Sequence, residues 1–571
     1  MIKPSTPERT TQGTAQSGGR LRVIPLGGLD GIGKNMTVLE YGNDMVMIDA
    51  GIMFPDDDHP GVDLILPDFS YVTKRREKLR AIVITHGHED HTGALPYLLK
   101  ALDRRVPVLG TKLTLGLIRG KLDEHRLKPG KVKLQEIQAG GHVSVGPFTF
   151  DFFAVNHSIP DGVGVFVRTP AANVVHTGDF KLDQTPIDGR MVDYGAITKF
   201  AKMGVDLLMS DSTNAESPGV TQSEASVGPV LRDIIKNAEG RVIAASFSSH
   251  IHRVQQICDA AVQAGRKVVV TGRSMVTNTT IARELGYLVV DDKTIIDAAE
   301  AADLPPEKVL VMCTGSQGEP LSALARMANG DHRTVTVQRG DTVVIAATPV
   351  PGNEKAVNRV INRLAKVGAK VAHRGSVHVH VSGHAASEEL KLMLNLVQPR
   401  YFAPNHGETR HLVAHAALAQ EVGIPPENVF VLENGDCLEI GKDGARVTQS
   451  VEHGVVYVDG LGVGDVGQVV LRDRQVLARD GIATVVVTID TQTGRPVCDP
   501  DLITRGLAWG AGGAALIAEA QARIVATLAK TYKEGATDQA VIKKAVHDSL
   551  SQLLWERTRS RPMIIPIVVE V

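Results

Sequence analysis

The sequence predicts an α/β fold, because apolar runs of strand length alternate with stretches of helical periodicity. In the clearest case, the apolar run at residues 81–84 leads into a polar loop, and a helical pattern begins over residues 93–99. Three later runs, at residues 148–155, 173–176 and 400–404, also end in loops that carry His or Asp. Open α/β folds place their chemistry at the carboxyl ends of strands, so we expect these loops to form one functional site.

The loop at residues 86–91 has the spacing H-x-H-x-D-H and is the strongest functional signal in the chain. Imidazole nitrogens and carboxylate oxygens suit Zn²⁺, with Mn²⁺ as an alternative. Four such side chains are more than one tetrahedral catalytic site takes from a single loop. We therefore predict a pair of metal ions. A loop that only capped the next helix would need one short acceptor such as Asp90 or Thr92, and not three imidazoles.

Further candidate ligands stand after the other strands. His157, Asp179 and His406 each follow one of the three later apolar runs. Any one of them alone is a weak signal, because a single His at a strand end is more often structural than a ligand. Their repetition at the same place in successive strands favours one shared site.

In their order and contexts, these motifs resemble those of the metallo-β-lactamase superfamily. The resemblance implies an αββα sandwich around a two-metal site. It also implies that Asp49, which matches the superfamily's first motif, supports the ligand loop from behind. The implied ligands are His86, His88 and His157 for one metal, Asp90, His91 and His406 for the other, and Asp179 between them, with Asp90 and Asp179 also serving catalysis.

A long insertion separates the last two of these ligands. Asp179 and His406 lie 227 positions apart, which is more than a small hydrolase needs. The intervening sequence is not low-complexity, since strand patterns at residues 241–245, 267–271 and 308–312 alternate with helical ones. The sequence therefore predicts an inserted α/β domain.

This insert resembles the β-CASP domain of nucleic-acid-processing members of the superfamily. Its acidic motif is S-D-S-T-N, with Asp211 in the key place, and its histidine motif is H-V-S-G-H at residues 380–384. The P-N-H-G-E motif around His406 is similar to the last β-CASP motif. The predicted fold is thus a metallo-β-lactamase αββα sandwich with an inserted β-CASP α/β domain.

Taken together, the motifs from about Arg20 onward resemble those of the bacterial ribonuclease J family. Residues 245–253, 313–320 and 561–566 extend the likeness across the whole chain. The resemblance implies two-metal hydrolysis of RNA phosphodiesters, with 5′-to-3′ exonuclease and endonuclease activity in rRNA processing and mRNA decay. It implies single-stranded RNA as the partner and two Zn²⁺ per chain, with Mn²⁺ or Mg²⁺ as alternatives.

The 380–384 segment is the predicted contact to substrate phosphate. In an extended segment the period of two would put His380, Ser382 and His384 on one face, where they could donate to a phosphate oxygen. The family resemblance makes His384 the acid that assists the leaving oxygen. The alternative is a capping Ser beside the next helix. The predicted substrate-binding residues are His380, Val381, Ser382, Gly383, His384, Ser248, Ser249 and His250, with Asp211 in a supporting position.

The residues at 248–250 and 315–318 lie between a strand and a helix, where backbone N–H groups could hold phosphates. A purely structural turn is an equal alternative for both. Gly28 to Asn35 comes close to a P-loop, but Asn35 replaces the required hydroxyl and a strand follows, so a hairpin between residues 21–24 and 36–41 is favoured.

The C-terminal part predicts a small α+β domain that carries no metal or nucleophile signature. Strands are expected at residues 466–472, 483–490 and 563–571, and helices at 514–532 and 539–557. The family likeness suggests a homodimer or homotetramer formed through this region, and the open edge of the last strand could mediate it. The predicted division is a disordered tail at 1–19, the metallo-β-lactamase domain at 20–205 and 371–442, the β-CASP domain at 206–370, a linker at 443–463 and the C-terminal domain at 464–571.

Composition is compatible with these predictions but adds little. The net charge of -2 is unusual for an RNA binder, although metal ions would supply local positive charge. The four cysteines are far apart, so no Cys zinc site or disulfide framework is indicated and the reducing cytoplasm is expected. The first 19 residues have no apolar core, so neither a signal peptide, a membrane span nor any membrane partner is predicted.

Three other functions remain open at this level. A small-molecule hydrolase of lactones, thioesters or β-lactams would use the same metal core, but the insert and the 380–384 segment argue against it. A non-catalytic RNA-binding scaffold would be expected to lose ligands, and all seven are present. DNA as substrate is not excluded by any residue.

Overall fold

The computed structural model describes residues 19–571, except 57, 128–129, 131, 320, 351–352, 491, 494–495, 508–512 and 535–537. All but the last residue of the tail predicted over residues 1–19 lies outside the described residues. The chain forms two compact units, one comprising the residues up to Phe54 with Ile65–Val455, and the other Pro55–Leu64 with Val456–Val571.

The larger unit contains three sheets and the helices that cover them. Its strands are β1 Leu21–Gly27, β2 Met36–Tyr41, β3 Asp44–Ile48, β4 Leu64–Pro67, β5 Leu79–Val83, β6 Pro107–Gly110, β7 Lys133–Glu136, β8 His142–Val145, β9 Phe148–Ala154, β10 Val163–Arg168, β11 Asn173–His176, β12 Leu207–Asp211, β13 Val242–Ala245, β14 Lys267–Thr271, β15 Ile295–Ile296, β16 Val309–Cys313, β17 Thr342–Ile345, β18 Lys370–His373, β19 Tyr401–Asn405, β20 Cys437–Gly441 and β21 Gly444–Thr448. Its helices are α1 Ser70–Thr73, α2 Glu89–Thr92, α3 Leu95–Leu102, α4 Lys112–Glu124, α5 Tyr194–Met203, α6 Val227–Asn237, α7 Ile251–Gln263, α8 Arg273–Leu285, α9 Ala298–Ala302, α10 Ala323–Asn329, α11 Glu354–Val367, α12 Ser387–Val397 and α13 Thr409–Glu421.

Two of these sheets form the predicted αββα sandwich. One has the strand order β21-β20-β1-β2-β3-β5-β6-β7 and the other the order β19-β12-β11-β10-β9-β8. Alternate side chains of both sheets meet in a shared core, for example Val83 and Leu39 from the first with Phe150 and Val165 from the second. The outer faces pack on α3 and α4 on one side and on α5, α12 and α13 on the other. The central strands are almost continuously apolar because each is buried on both faces.

The inserted domain is a parallel sheet with the strand order β15-β14-β16-β13-β17-β18. Its strands are almost wholly apolar because α6, α7 and α8 cover one face and α10 and α11 cover the other. The insert's boundaries differ from the prediction at both ends. Leu207–Asp211 pairs with β11 and β19 in the sandwich, and Lys370–His373 pairs with β17 in the insert.

The predicted linker at residues 443–463 also contains regular structure. Gly444–Thr448 is an edge strand of the first sheet, since it pairs with β20 in a tight hairpin. Val455–Asp459 pairs with Gly462–Val463. These strands were not predicted, because both are short and partly exposed.

The smaller unit includes a three-stranded sheet with helices packed on one of its faces. Its elements are β22 Val455–Asp459, β23 Gly462–Val463, α14 Gln468–Asp480, β24 Ile482–Ile489, β25 Asp501–Arg505, α15 Gly513–Lys533, α16 Gln539–Thr558 and β26 Met563–Glu570. The predicted strand at residues 466–472 is wrong, because Gly467 starts helix α14 there. Val466 and Leu471 are the buried apolar residues of this stretch, whereas Val469 and Val470 are exposed, so a run that looks strand-like is amphipathic. Among the described residues, no helix is long and apolar enough to cross a membrane.

Candidate metal centre and active site

The H-x-H-x-D-H loop is fixed from behind by Asp49. Strand β3 ends just before this residue, which adopts a left-handed φ of 63° and is 1% exposed. Its Oδ1 accepts from the backbone N–H of Thr85 at 2.8 Å, and its Oδ2 accepts from Nδ1 of His91 at 2.8 Å. Strained backbone conformations persist where the surroundings hold them and are frequent at functional sites. Asp49 therefore orients the His91 ring so that its Nε2 faces Asp179.

Three imidazoles form the first ligand group. Nδ1 of His88 lies 3.1 Å from Nε2 of His86 and 3.1 Å from Nε2 of His157. One proton cannot satisfy three nitrogens at this separation, so hydrogen bonds alone do not explain the arrangement. Nδ1 of His157 donates to the carbonyl of Gly383 at 2.7 Å, which leaves its Nε2 as a lone-pair donor to the cluster.

The second group contains Asp90, His91, Asp179 and His406. Oδ1 of Asp179 lies 3.2 Å from Nε2 of His91 and 2.8 Å from Nδ1 of His406. Its Oδ2 lies 3.8 Å from the Nε2 atoms of both His86 and His157. The two oxygens of Asp179 thus face different groups, as a carboxylate placed between two cations would.

The ionisation of the two groups differs. Burial lowers the pKa of His86, His88 and His157, in the last case to about 3, so these rings are neutral. Burial acts in the same direction on His91 and His406, but the Asp179 carboxylate outweighs it and raises the pKa of both. Neutral imidazoles are the form that binds metals, so the first group is ready to bind, whereas a metal ion in the second group must displace protons from His91 and His406.

The donor set fits divalent metal ions. The ligand atoms within each group lie within 4.8 Å of one another. Nε2 of His406 is buried without a hydrogen-bond partner, which a bound cation would supply. Nitrogen and carboxylate oxygen ligands in sets of three and four suit Zn²⁺ or Mn²⁺.

His384 lies beside the second group but has a different partner. Its Nδ1 donates to Oδ2 of Asp211 at 2.7 Å, and its side chain is 19% exposed. Burial lowers the pKa of His384, but the Asp211 carboxylate outweighs this effect and the result is a rise to about 9. Asp211, predicted in a supporting position, therefore keeps His384 protonated, as a proton donor requires.

In the 380–384 segment, the half-buried residues His380, Ser382 and His384 alternate with the buried residues Val381 and Gly383. Oγ of Ser382 accepts from Nδ2 of Asn214 at 2.8 Å and from the backbone N–H of His384 at 3.2 Å, which leaves its hydroxyl proton free to donate. Val381 is buried in the core of the insert. A side chain at Gly383 would lie 2.6 Å from the His157 ring, so only glycine fits.

The residues at 248–250 are more structural than predicted. His250 is 1% exposed, and its Nδ1 accepts from the backbone N–H of Arg253 as the N-cap of α7. Oγ of Ser248 accepts from Nδ2 of Asn278 at 3.1 Å. Ser248 and Ser249 are half-buried, and their contact with substrate stays a prediction.

Asn35 belongs to the site but was not predicted. Its Nδ2 donates to the carbonyl of Asp90 at 3.1 Å and lies 3.1 Å from Nε2 of His91, while its Oδ1 is buried without a partner. The glycine-rich hairpin that carries Asn35 also hydrogen-bonds to Gly407, next to a ligand. The sequence signal is the Asn that ends the P-loop-like motif, but this motif by itself bears only on phosphate binding.

An αββα sandwich with this ligand set and an inserted parallel-sheet domain defines a metallo-β-lactamase-type protein of the β-CASP class. Family models agree region by region. The beta-lactamase superfamily domain matches residues 26–216, the ribonuclease J beta-CASP domain 239–364, the Zn-dependent metallo-hydrolase RNA specificity domain 368–432, and the ribonuclease J C-terminal domain 469–571.

Whole-chain relatives identify the family. Ribonuclease J of Mycolicibacterium smegmatis is 46% identical over 97% of this chain and 98% of its own. Ribonuclease J2 of Bacillus subtilis is 42% identical over 96% of this chain and 99% of its own. Ribonuclease J of Thermus thermophilus is 43% identical over 99% of this chain and 97% of its own. This chain belongs to the ribonuclease J family. A crystal structure of an Enterococcus faecalis protein of unknown function shares the fold, with a TM-score of 0.52 at 14% identity over 74% of this chain and all of that one.

Proposed function

We propose that this protein is a metal-dependent ribonuclease that hydrolyses RNA phosphodiesters as a 5′-to-3′ exonuclease and an endonuclease. The observation that carries the proposal is the contact between the two halves of the site. Nδ1 of His157, in the first ligand group, donates to Gly383 of the histidine motif. The predicted phosphate-binding segment is thereby fixed directly against the metal ligands.

We propose two Zn²⁺ ions per chain, with Mn²⁺ or Mg²⁺ as alternatives. His86, His88 and His157 would hold one ion, Asp90, His91 and His406 the other, and Asp179 would face both. When bound, such cations lower the pKa of water and neutralise charge that develops on a phosphate.

The side chains would divide the remaining work. The free hydroxyl proton of Ser382 would hold a phosphate oxygen, and protonated His384 would donate its Nε2 proton to the leaving oxygen. Asp211 would stabilise the charged ring before the transfer. No side-chain nucleophile is required, since water is the attacking group.

RNA is favoured over a small-molecule substrate. Relatives over nearly the whole chain carry the name ribonuclease J, and the RNA specificity domain spans the 380–384 segment and His406. A lactone, thioester or β-lactam hydrolase would have no use for a phosphate-binding segment held against the metals. The family assignment therefore argues against that alternative.

Metal analysis and RNA cleavage test the proposal together. Purified protein is assayed for metal content and incubated with RNA carrying a 5′-monophosphate and a label at either end. We expect two ions per chain and products that shorten from the 5′ end. A matched His88→Ala variant should retain the fold, lose metal and lose cleavage. Full activity with one ion or fewer, or turnover of a chromogenic β-lactam without RNA cleavage, would overturn the proposal.

We also propose self-association through the C-terminal unit and a cytoplasmic location. β26 lies at the edge of the sheet β25-β24-β26, and Ile565, Ile567 and Val569 on one face of this strand are each at least 40% exposed. Sedimentation of the full chain against a variant with charged residues at these three positions tests the assembly. The four cysteines are unpaired, as expected in a reducing compartment.

A further inference from the structure

Two connecting segments run side by side between the sandwich and the inserted domain. Residues 212–226 leave the sandwich, and residues 374–386 return to it. Nδ2 of Asn214 donates to Oγ of Ser382 at 2.8 Å and to the carbonyl of His384 at 3.0 Å. Oγ1 of Thr221 donates to that same carbonyl at 2.7 Å. The outgoing segment therefore supports the residues that are proposed to contact substrate.

A fully buried arginine of the insert reaches both segments. Arg253 on α7 is 0% exposed, and its Nε donates to Oε1 of Glu224, on the outgoing segment, at 2.9 Å. Its Nη1 donates to the carbonyl of Val379, one residue before the 380–384 segment, and to that of Ala346 at 3.1 Å. Glu224 is itself only 3% exposed.

A buried lysine of the sandwich also contacts both connecting segments. Lys181 is 1% exposed, and its Nζ donates to the carbonyl of Gln222 at 3.1 Å and to that of Ser382 at 3.2 Å. Asp183 balances its charge at 3.6 Å. Each domain thus contributes one buried cation that contacts both connecting segments. Lys181 does so through two main-chain carbonyls, and Arg253 through the carbonyl of Val379 and the carboxylate of Glu224.

Stability alone is a poor explanation for this arrangement. Burying an ion pair costs desolvation that apolar packing avoids, and replacing buried ion pairs with apolar residues of similar volume is often neutral or stabilising. What the charged groups provide is direction, because a guanidinium fork fixes the carbonyl and carboxylate oxygens that it contacts. The contacts, at the carbonyls of Val379 and Ser382, fall on both sides of Val381, and the second is on the proposed phosphate-binding residue itself.

We propose that Arg253 and Lys181 are positioning residues that hold the 380–384 segment against the metal ligands, with Glu224 as the partner that orients Arg253. The inference rests on the proposed function only for the identity of the substrate. Without the buried cations, Ser382 and His384 would move relative to the reacting phosphate while the metals stay in place. Small displacements of this kind reduce turnover by about 10²-fold.

The test compares two substrates in the metal-loaded full chain. Both substrates need the phosphate contact, but only RNA needs the proton donor, because the p-nitrophenolate group of bis(p-nitrophenyl) phosphate departs without an acid. We expect Arg253→Met to lower RNA turnover by about 10²-fold, to lower hydrolysis of the activated diester much less, and to leave the metal content near that of the parent protein. Lys181→Met should lower RNA turnover to a similar extent, and the loss of RNA turnover in Arg253→Lys should be intermediate.

Arg266 supplies a matched control. It is also a buried arginine of the insert, 4% exposed, and donates to the carbonyls of Gly240 at 2.8 Å and Ala238, but it makes no hydrogen bond to either connecting segment among the described residues. Arg266→Met should lower stability without changing the ratio of the two activities. If Arg253→Met and Arg266→Met change that ratio equally, or if neither changes it, the positioning role is wrong.

Hydrogen exchange gives a readout that does not depend on RNA. Amides of residues 379–386 should exchange faster in Arg253→Met, and in the milder Glu224→Gln, than in Arg266→Met. Unchanged protection there would overturn the inference even if RNA cleavage fell. Parent protein that hydrolyses the diester but not RNA would instead contradict the proposed function, while faster exchange in the variants would still support the positioning role.

Discussion

Nδ1 of His384 lies 2.7 Å from Oδ2 of Asp211, and this contact joins two parts of the candidate active site. Asp211 ends β12 in the sandwich, whereas His384 lies on the segment that returns from the insert. Asp211 is buried, and burial raises its pKa. The nearby His384 lowers this pKa by more than burial raises it, so the carboxylate stays ionised. The pair therefore presents a charged imidazole whose second nitrogen is free to donate.

The pair predicts the basic limb of the pH profile. A general acid works only while protonated, and the pKa of His384 is raised to about 9, so RNA turnover should hold to about pH 9 and then fall. Asp211→Asn removes the carboxylate, which should return the pKa toward the ordinary value near 6.5 and move the fall to lower pH. Rate profiles of both proteins, with metal content measured at each pH, test this. An unchanged basic limb in Asp211→Asn would contradict it.

The same pair has a consequence for stability. A histidine whose folded pKa is raised stabilises the protein fully below its unfolded pKa near 6.5. That contribution is lost as pH rises through about 9. Urea denaturation across this range should therefore show a smaller loss of stability with rising pH in His384→Ala than in the parent protein.

His384 itself should be a proton donor and not a ligand. It also lies near Asp179, Asp211 and His406 in a third group of donor atoms, so a ligand role is the competing explanation. We expect His384→Ala to lower RNA turnover by roughly 10²- to 10⁴-fold with metal content unchanged. Elemental analysis of the variant decides between the two roles, because a loss of metal would identify His384 as a ligand.

Gly383→Ala should damage the first ligand group. The added Cβ would lie 2.6 Å from Cε1 and 2.7 Å from Nδ1 of His157, so either the ring or the 380–384 segment must move. We expect weaker binding of one metal ion and a large loss of turnover. Ala at Gly189, where no atom would lie within 4 Å of the new Cβ, is the control, although its φ of 71° adds backbone strain there. Metal content equal to that of the parent protein would contradict the prediction.

Asn35→Ala should selectively weaken the binding of the metal ion held by Asp90, His91 and His406. The Asn35 amide joins the backbone of Asp90 to the ring of His91, and partners of this kind typically contribute 10- to 100-fold to metal affinity. Titration of the metal-free protein with Zn²⁺ should show one site near the parent affinity and one weaker site. Two unchanged affinities would show that the contact does not support the metal.

Much of this site could be predicted because each ligand stands directly after its own strand. The apolar runs before His157, Asp179 and His406 give β9, β11 and β19, and neighbouring strand ends meet at one sheet edge. The loop of residues 86–91 is similarly local in sequence.

Features that depend on distant partners were not predictable. The Arg253–Glu224 pair is buried by elements that the sequence does not mark as neighbours. His250 is predicted to contact substrate, and only the structure shows that it is a buried helix cap. The helix Gln468–Asp480 was mistaken for a strand because its valines are adjacent, and only the structure shows which of them face solvent.

The 5′ end of the substrate should be read by neutral donors. Burial is the main reason that the pKa of His380 is lowered, so this ring is uncharged, and the hydroxyl of Ser382 is neutral. The nearby cations Arg253 and Lys181 are buried and already bind carboxylates and carbonyls. Such a pocket can accept one phosphate group. Its neutral donors do not compensate the charge of a triphosphate, which is also larger. We therefore expect processive 5′-to-3′ degradation of 5′-monophosphorylated RNA and slow attack on its 5′-triphosphorylated counterpart. Time courses on two RNAs that differ only at this end measure the preference, and equal rates, or shortening from the 3′ end, would show that the pocket does not select the terminus.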